Sequence, residues 1–169
     1  SDEPDSDRTN VEGARNLLEA AKFQDVHFLI NVSTQAAKLK NKGVYGRTKE
    51  AADQVFHDSG FSVTTLRSSL VYGDLTSGVF GSLVKFSKLP VIPVFGSGAS
   101  PMWPIHVEDL AKVIEIAAMR PQTRGKIYEV GGPDKVTLNQ MIDFIVSALG
   151  RRCFKLHIPM GIGLLAAHI

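Results

Sequence analysis

Cysteine is nearly absent from the 169-residue sequence, in which Cys153 is the single example. One thiol cannot form an internal disulfide, so the disulfide-rich secreted scaffolds are excluded and a reducing compartment is favoured. Charge of one sign is lacking as well, because 19 Lys and Arg residues oppose 17 Asp and Glu residues and form no basic block. This balance argues against a nucleic-acid partner.

Long hydrophobic runs are also missing. No apolar run reaches the roughly 20 residues that a membrane-spanning helix needs, so we expect no membrane span. The histidines and the lone cysteine show no ligand spacing, so we expect no metal site. Hydrophobic residues make up 44% of the chain and charged residues 21%. These ordinary proportions predict a globular protein with a buried core, not a disordered one.

Apolar spacing predicts alternating helices and strands along the chain. The predicted helices cover residues 10–22, 44–58, 78–87, 107–119 and 137–149, and the predicted strands cover residues 26–32, 62–67 and 126–130. In the last of these helices, Thr137 and Gln140 fit a capping box. We expect a strand–helix–strand unit with parallel strands. For the whole chain, we expect a polar leader at residues 1–9 and a single α/β domain over residues 10–169.

A candidate proton-transfer site lies in the stretch VYGRTKEAAD, residues 44–53. Tyr45 and Lys49 are four residues apart, so on a helix the phenol and the ammonium share one face. A free phenol, with a pKa of about 10, is a poor base at neutral pH, and a neighbouring cation stabilises the phenolate. Ser33, or Thr34 beside it, would then bond a substrate oxygen. Taken alone, the pair also fits an aromatic residue packed on a sheet and a solvated lysine.

This pattern resembles the Ser/Tyr-x-x-x-Lys centre of the short-chain dehydrogenase/reductase superfamily, in its extended or atypical branch of NAD-dependent epimerase/dehydratase-like proteins. Eleven residues separate Ser33 from Tyr45. This spacer is shorter than in sugar-nucleotide epimerases and is similar to that of members related to the accessory subunit of respiratory complex I. Further stretches follow the family in order, namely NVEGARNLLEAA (10–21), LRSSLVYG (66–73), PIHVEDLA (104–111), YEVGGP (128–133) and the Thr-Leu pair at 137–138.

The resemblance implies a fold and a set of residue roles. The fold is a partial Rossmann-like, doubly wound parallel sheet with small α/β elements of a substrate lobe. Tyr45 would act as acid/base, Lys49 would bond the nicotinamide ribose, and Ser33 would polarise the substrate. The remaining assignments are Ser68, Ser69 and Leu70 with Tyr45 and Lys49 for the cofactor, and Thr34 for the substrate. Met102 and Trp103 are also assigned to the substrate pocket, with packing in the core as the alternative. Asn10 resembles an asparagine that holds a relay water, although a helix-capping role is an equal alternative.

Two departures from the family pattern shape the expected activity. Relatives open with a glycine-rich turn that cradles the cofactor pyrophosphate, and no such turn occurs here. We therefore expect a carboxyl-side portion of a longer protein, ending in the apolar stretch 158–169 and binding NAD or NADP weakly or not at all by itself. Residues 98–103 also lack the basic residue that binds the phosphates of nucleotide sugars. An apolar or small-alcohol substrate, or no substrate at all, is favoured instead.

The expected function is an NAD(P)-dependent oxidoreductase or epimerase of the extended short-chain dehydrogenase type, acting on a small molecule by hydride transfer. The 169 residues as given are expected to be inactive. The alternative is a non-catalytic nucleotide-binding or assembly protein that resembles the complex I accessory subunit. Relatives often form dimers, so a homodimer is a further expectation. The expected location is the cytoplasm, with the mitochondrial matrix as the alternative.

Overall fold

The computed structural model describes residues 3–76 and 78–159. Contacts between Cα atoms group the chain into two compact units. The first runs to Ser69 and resumes from Glu108 to Gly131, and the second comprises Leu70–Val107 and continues from Gly132. The single domain expected over residues 10–169 stays a prediction. Within the described ranges, no helix is both long enough and apolar enough to cross a membrane.

Helices and strands alternate along most of the chain. The helices are α1 (Glu3–Asp7), α2 (Gly13–Phe23), α3 (Val44–His57), α4 (Gly78–Phe86), α5 (Val107–Met119) and α6 (Leu138–Ala148). Shorter helical segments are a π-helix at Arg8–Glu12 and 3-10 helices at Gln35–Lys38 and Pro121–Thr123. The strands are β1 (Phe28–Thr34), β2 (Ser62–Ser68), β3 (Val71–Tyr72), β4 (Val91–Phe95), β5 (Pro101–Met102), β6 (Ile105–His106), β7 (Ile127–Val130), β8 (Val136–Thr137) and β9 (Phe154–Ile158).

The first unit is built on a three-stranded sheet in the order β1-β2-β7, with both strand pairs parallel. In this register Ser33 pairs with Arg67, and Ser68 pairs with both Thr34 and Val130. The α/β class and the parallel strand–helix–strand unit are therefore confirmed. Because carboxyl ends of parallel strands share one edge, this register brings the end of β1 beside the end of β2.

One face of this sheet is covered by α2 and α3. Their apolar residues meet those of the strands in one cluster, which comprises Ala14, Ala52, Phe56 and Val63 with Leu18, Leu29, Val55 and Phe61. Because side chains alternate along a strand, Leu29 shares its face with Asn31 and Ser33, and Val63 shares its face with Arg67. Helix α3 thus packs on the face of the sheet from which the Ser33 side chain projects.

The start of the chain is more helical than its polar composition indicates. The sequence predicts a polar leader over residues 1–9, whereas α1 spans Glu3–Asp7 and leads through the π-helix into α2. Pro4 is compatible with a first helical turn, where its missing N–H costs no hydrogen bond. The capping role considered for Asn10 is not observed, because it lies inside the π-helix and its Nδ2 donates to Thr48 Oγ1 over 2.9 Å.

Within its described residues, the second unit contains three two-stranded pairings instead of one sheet. They are the parallel pairs β3-β6 and β4-β9 and the antiparallel pair β5-β8. Helix α6 packs against α4 through Val84, Met141 and Ile145. Its predicted capping box is confirmed, since Thr137 Oγ1 accepts from Gln140 N–H while Gln140 Oε1 accepts from Thr137 N–H. The last ten residues of the apolar stretch 158–169 lie outside the described residues.

Candidate active site

Ser33 stands at the carboxyl end of β1 and is 3% exposed. Its Oγ has no hydrogen-bond partner within residues 3–76 and 78–159. The neighbouring Thr34 differs, because its Oγ1 accepts the N–H of Ala36 over 3.2 Å and so caps the 3-10 helix. A buried hydroxyl without a partner costs roughly 1–3 kcal/mol, so Ser33 gains from any ligand oxygen that it bonds. This contrast supports Ser33 over Thr34 as the site hydroxyl.

Helix α3 carries the other two candidate catalytic residues. Lys49 Nζ donates to the carbonyl of Val32 over 3.0 Å, and Val32 immediately precedes Ser33. Tyr45 lies one helical turn earlier and is 59% exposed. The structure therefore joins Lys49 to the end of β1 by a direct contact and relates Tyr45 to Lys49 through the helix. Convergence of the three side chains on one bound substrate stays a prediction.

Gly46, directly after Tyr45, is required by a close approach of backbone. A Cβ at this position would lie 2.8 Å from the carbonyl oxygen of Ala36 and 2.8 Å from Cβ of Lys42. The 3-10 helix that follows Ser33 can thus pack directly against the first turn of α3. Lys42 reinforces this packing, because its Nζ bonds the Ala37 carbonyl over 2.7 Å. Gly46 therefore keeps the Ser33 segment and the Tyr45 helix together.

The charge of Lys49 is set by two opposing influences. Partial burial lowers the pKa of Lys49 below its ordinary value, because the charged form loses solvation. The negative charge of Asp53, four residues later, opposes this and raises the pKa. The sequence analysis assigns no role to Asp53, although its spacing of four residues from Lys49 predicts that both side chains lie on one helix face.

The three further residues assigned to the nicotinamide pocket, Ser68, Ser69 and Leu70, each make contacts within the protein. Ser68 is buried, and its Oγ donates to the Ser33 carbonyl over 3.1 Å. The N–H of Ser69 donates to the Val130 carbonyl over 2.8 Å. Leu70 belongs to the second unit, where it packs with Val84. Ser68 and Ser69 thus hold the ends of the strands together beside Ser33, and the cofactor roles of all three stay predictions.

The residues assigned to the substrate, Met102 and Trp103, lie in the second unit. Met102 pairs with Val136, and the Trp103 carbonyl accepts the N–H of Gly132. The Trp103 ring is 42% exposed, with Lys135 Nζ 5.7 Å from its centroid. The sequence stretch 98–103 has no basic residue, but the fold brings Lys135, which directly precedes β8, close to Trp103. The argument against an anionic substrate is weakened accordingly.

A metal-binding arrangement is not found in the described part of the chain, which contains no cluster of three or more His, Cys, Asp or Glu side chains suited to an ion. Near Lys49, the carboxylates of Glu50 and Asp53 are paired with Lys42 and Arg67.

Residues 2–131 match the model of the NAD dependent epimerase/dehydratase family. The chain belongs to this family. Among curated relatives, NADH dehydrogenase [ubiquinone] 1 alpha subcomplex subunit 9, mitochondrial, of Dictyostelium discoideum is 28% identical over 158 residues, which are 91% of this chain and 42% of that protein. The dTDP-glucose 4,6-dehydratase of Streptomyces griseus is 26% identical over 164 residues, covering 85% of this chain and 49% of that protein.

Solved structures of the family show the same fold. The dTDP-glucose 4,6-dehydratase of Streptomyces venezuelae, with NAD and TYD bound, superposes with a TM-score of 0.75 at 21% identity, over 90% of this chain and 54% of that chain. For the UDP-glucose 4-epimerase of Thermus thermophilus with NAD, the TM-score is 0.70 at 21% identity, over 89% and 57%. The Rossmann-like assignment is confirmed. This chain spans about half the length of these relatives.

NAD is the cofactor of family members, and the site residues of this chain are compatible with it. The unpartnered hydroxyl of Ser33 is a donor that the described protein groups leave unused. Lys49 has three N–H donors, of which one bonds Val32, so two are available for hydroxyl groups of a ribose. The donor set therefore suits a nicotinamide riboside and a substrate oxygen beside it.

Proposed function

We propose that this chain carries the acid/base centre of an NAD-dependent epimerase, dehydratase or oxidoreductase of the extended short-chain dehydrogenase type. The observation that carries the proposal is the bond from Lys49 to the Val32 carbonyl. It places an ammonium at the residue before a buried, unpartnered serine and one helical turn after a half-exposed tyrosine. Family membership over residues 2–131 supports the same conclusion.

Each residue has a distinct task in this mechanism. The hydroxyl of Ser33 donates to the substrate oxygen and polarises it. The Tyr45 phenol transfers a proton to or from that oxygen, and Lys49 holds ribose hydroxyls while its charge stabilises the phenolate. When bound, the nicotinamide supplies a hydride acceptor or donor at its C4. Asn10 orients Thr48 through the bond to its Oγ1, and Thr48 in turn bonds the carbonyl of Tyr45 over 3.2 Å.

The first test replaces Tyr45 in a complete protein that contains this chain. Tyr45→Phe removes the transferable proton and keeps the ring, so we expect kcat to fall by about 10²–10⁴-fold. Turnover is followed chromatographically with NAD⁺ and a panel of dTDP-glucose, UDP-glucose and small secondary alcohols. The control is Tyr128→Phe, a tyrosine on β7 that is 37% exposed, compared with 59% for Tyr45. A Tyr45→Phe enzyme as active as the control would refute the acid/base assignment.

A second candidate function is a non-catalytic assembly role. It is favoured by the likeness to the mitochondrial alpha subcomplex subunit 9 over 91% of this chain and by the eleven-residue spacer between Ser33 and Tyr45. Under this proposal the protein resides in the mitochondrial matrix as part of a large complex. Native gel separation of detergent extracts, probed with an antibody against the chain, should then show it in a high-mass band. Recovery as a free, catalytically active homodimer would contradict this role.

A further inference from the structure

Asp53 is a buried carboxylate with two well-placed donors. It is 6% exposed and lies on α3. Asn31 Nδ2 donates to its Oδ1 over 2.8 Å, and Arg67 Nε donates to its Oδ2 over 3.0 Å. Asn31 comes from β1 and Arg67 from β2, so one carboxylate connects the helix to two adjacent strands. A buried charge with such partners gives α3 a defined position on the sheet.

The same helix is attached to β1 a second time through Lys49. Asp53 bonds the side chain of Asn31, and Lys49 bonds the carbonyl of the next residue, Val32. Two side chains one helical turn apart thus contact consecutive residues of the strand. Ser33 is the following residue. The two bonds therefore fix α3 against β1 at the two residues that directly precede Ser33, the candidate catalytic residue.

We propose that Asp53 is a positioning residue for the candidate centre: its carboxylate keeps the Lys49 ammonium at the end of β1, and Arg67 controls how much of the negative charge of Asp53 acts on Lys49. Asp53 does not contact the reacting atoms in this scheme. It acts through Lys49, and Arg67 acts through Asp53. The catalytic meaning of this arrangement rests on the proposed function, whereas the electrostatic coupling can be measured without turnover.

The electrostatics agree with the geometry. Burial lowers the pKa of Lys49, and the charge of Asp53 counteracts that effect. Arg67 is largely buried and neutralises part of the same carboxylate. On β1, the facing residues Asn31 and Ser33 are uncharged. Among the other charged side chains on or near the elements that pack against α3, Arg8 pairs with Asp5, Lys38 with Glu129 and Lys42 with Glu50. Arg15, Glu19 and Lys22 of α2 are exposed to solvent.

The test is a titration of Lys49 in the full 169-residue chain. The Cε resonance of Lys49, labelled with ¹³C and assigned by its loss in Lys49→Arg, reports the titration midpoint. Asp53→Asn removes the stabilising charge and should lower this midpoint. Arg67→Gln leaves the charge of Asp53 unopposed and should raise it. Glu50→Gln is the matched control, because Glu50 is a carboxylate on the same helix that is half-exposed and paired with Lys42.

Opposite shifts distinguish electrostatic coupling from a purely structural role. If either residue served only to hold the fold, both substitutions would loosen α3, expose Lys49 and move its midpoint upward together. Shifts in the same direction, or a Glu50→Gln shift as large as that of Asp53→Asn, would overturn the proposal. Circular dichroism spectra are recorded for each variant to establish that it is folded.

A second pair of variants leaves Asp53 in place in case Asp53→Asn does not fold. Arg67→Lys retains a positive charge beside Asp53, so the Lys49 midpoint should stay below that of Arg67→Gln. Equal midpoints in these two variants would also reject the proposal. The outcome is independent of the Tyr45→Phe experiment: opposite Lys49 shifts together with an active Tyr45→Phe enzyme would reject the proposed function alone.

Discussion

At the scale of single residues, the site is defined by which polar groups have partners and which do not. Thr34 and Ser33 are adjacent hydroxyl residues, but the first caps a 3-10 helix and the second has no partner within the described ranges. Lys49 sits between burial, which opposes its charge, and Asp53, which supports it. Chemistry at this site therefore depends on local pairing as much as on residue type.

Lys49 should make stability depend on pH in a defined direction. Its pKa is lowered in the folded protein, so between the folded pKa and the unfolded value of about 10.4 the unfolded state binds more protons. The energetic penalty of burying the charge is full below the folded pKa. It declines as pH rises through that pKa. The unfolding free energy of the wild type should thus increase with pH relative to Lys49→Met.

Denaturant unfolding of both proteins between pH 7 and pH 10.5 measures this difference. Contributions from other lysines and tyrosines cancel, because the two proteins share them. Lys112→Met is a suitable control, since Lys112 is exposed and paired with Asp109 on α5. A wild-type curve that runs parallel to that of Lys49→Met across this interval would show that the folded structure does not lower the pKa of Lys49.

At the scale of elements, two helical glycines illustrate how packing decides the effect of one substitution. Gly13 opens α2 with φ −58° and ψ −40°, and a Cβ there would lie 3.9 Å from the Arg8 carbonyl oxygen, which is an ordinary contact. Gly46 lies in α3, where a Cβ would clash with Ala36 and Lys42. Helix propensity favours alanine at both positions, but packing allows it at only one.

Gly13→Ala should therefore stabilise the protein by about 0.5–1 kcal/mol, through the reduced entropy of the unfolded chain. Gly46→Ala should destabilise it by about 1–3 kcal/mol, because the 3-10 helix after Ser33 must move. Urea midpoints at constant m-value measure both changes. Each variant serves as the control for the other, and a stabilising Gly46→Ala would show that the contact between α3 and the 3-10 helix is loose.

Elements with local signals could be predicted from sequence. Helix α2 repeats apolar residues at helical spacing, at Ala14, Leu17, Leu18 and Ala21, and the capping box of α6 involves residues three positions apart. Both features are therefore predicted from sequence. Strand β9 is not predicted from sequence, although Phe154, Leu156 and Ile158 alternate with polar residues as in a strand. The strand is short, and its partner β4 is about 60 residues away, so the pairing itself has no local signal. Two further contacts cannot be predicted from local sequence for the same reason. The bond from Asn10 to Thr48 and the contact of Lys135 with Trp103 each join residues that are distant in sequence.

At the scale of the whole molecule, the chain spans about half the length of the relatives it matches. It contains the serine, tyrosine and lysine of the family pattern, and its sequence contains no G-x-x-G-x-x-G turn. In dinucleotide-binding proteins, that turn and the helix after it supply the amides that bind the pyrophosphate. The pyrophosphate-binding amides of the family pattern therefore have no counterpart in this sequence.

The 169-residue chain alone should bind NAD⁺ weakly or not at all, since its sequence contains no glycine-rich turn for the pyrophosphate. Isothermal titration calorimetry with NAD⁺ and NADH measures this directly. The dTDP-glucose 4,6-dehydratase of Streptomyces venezuelae, whose structure contains bound NAD, is the positive control. Micromolar affinity of the 169-residue chain would contradict the expectation and would point to a pyrophosphate site built differently from that of the family.

The hydroxyl of Ser33 connects the thermal stability of the protein to ligand binding. This oxygen is buried without a partner within the described residues, and that missing hydrogen bond is an energetic deficit of the ligand-free fold. Any molecule that offers an acceptor to this oxygen relieves the same deficit and raises the melting temperature. Differential scanning fluorimetry against a metabolite library is thus a route to the natural substrate that needs no assay of turnover.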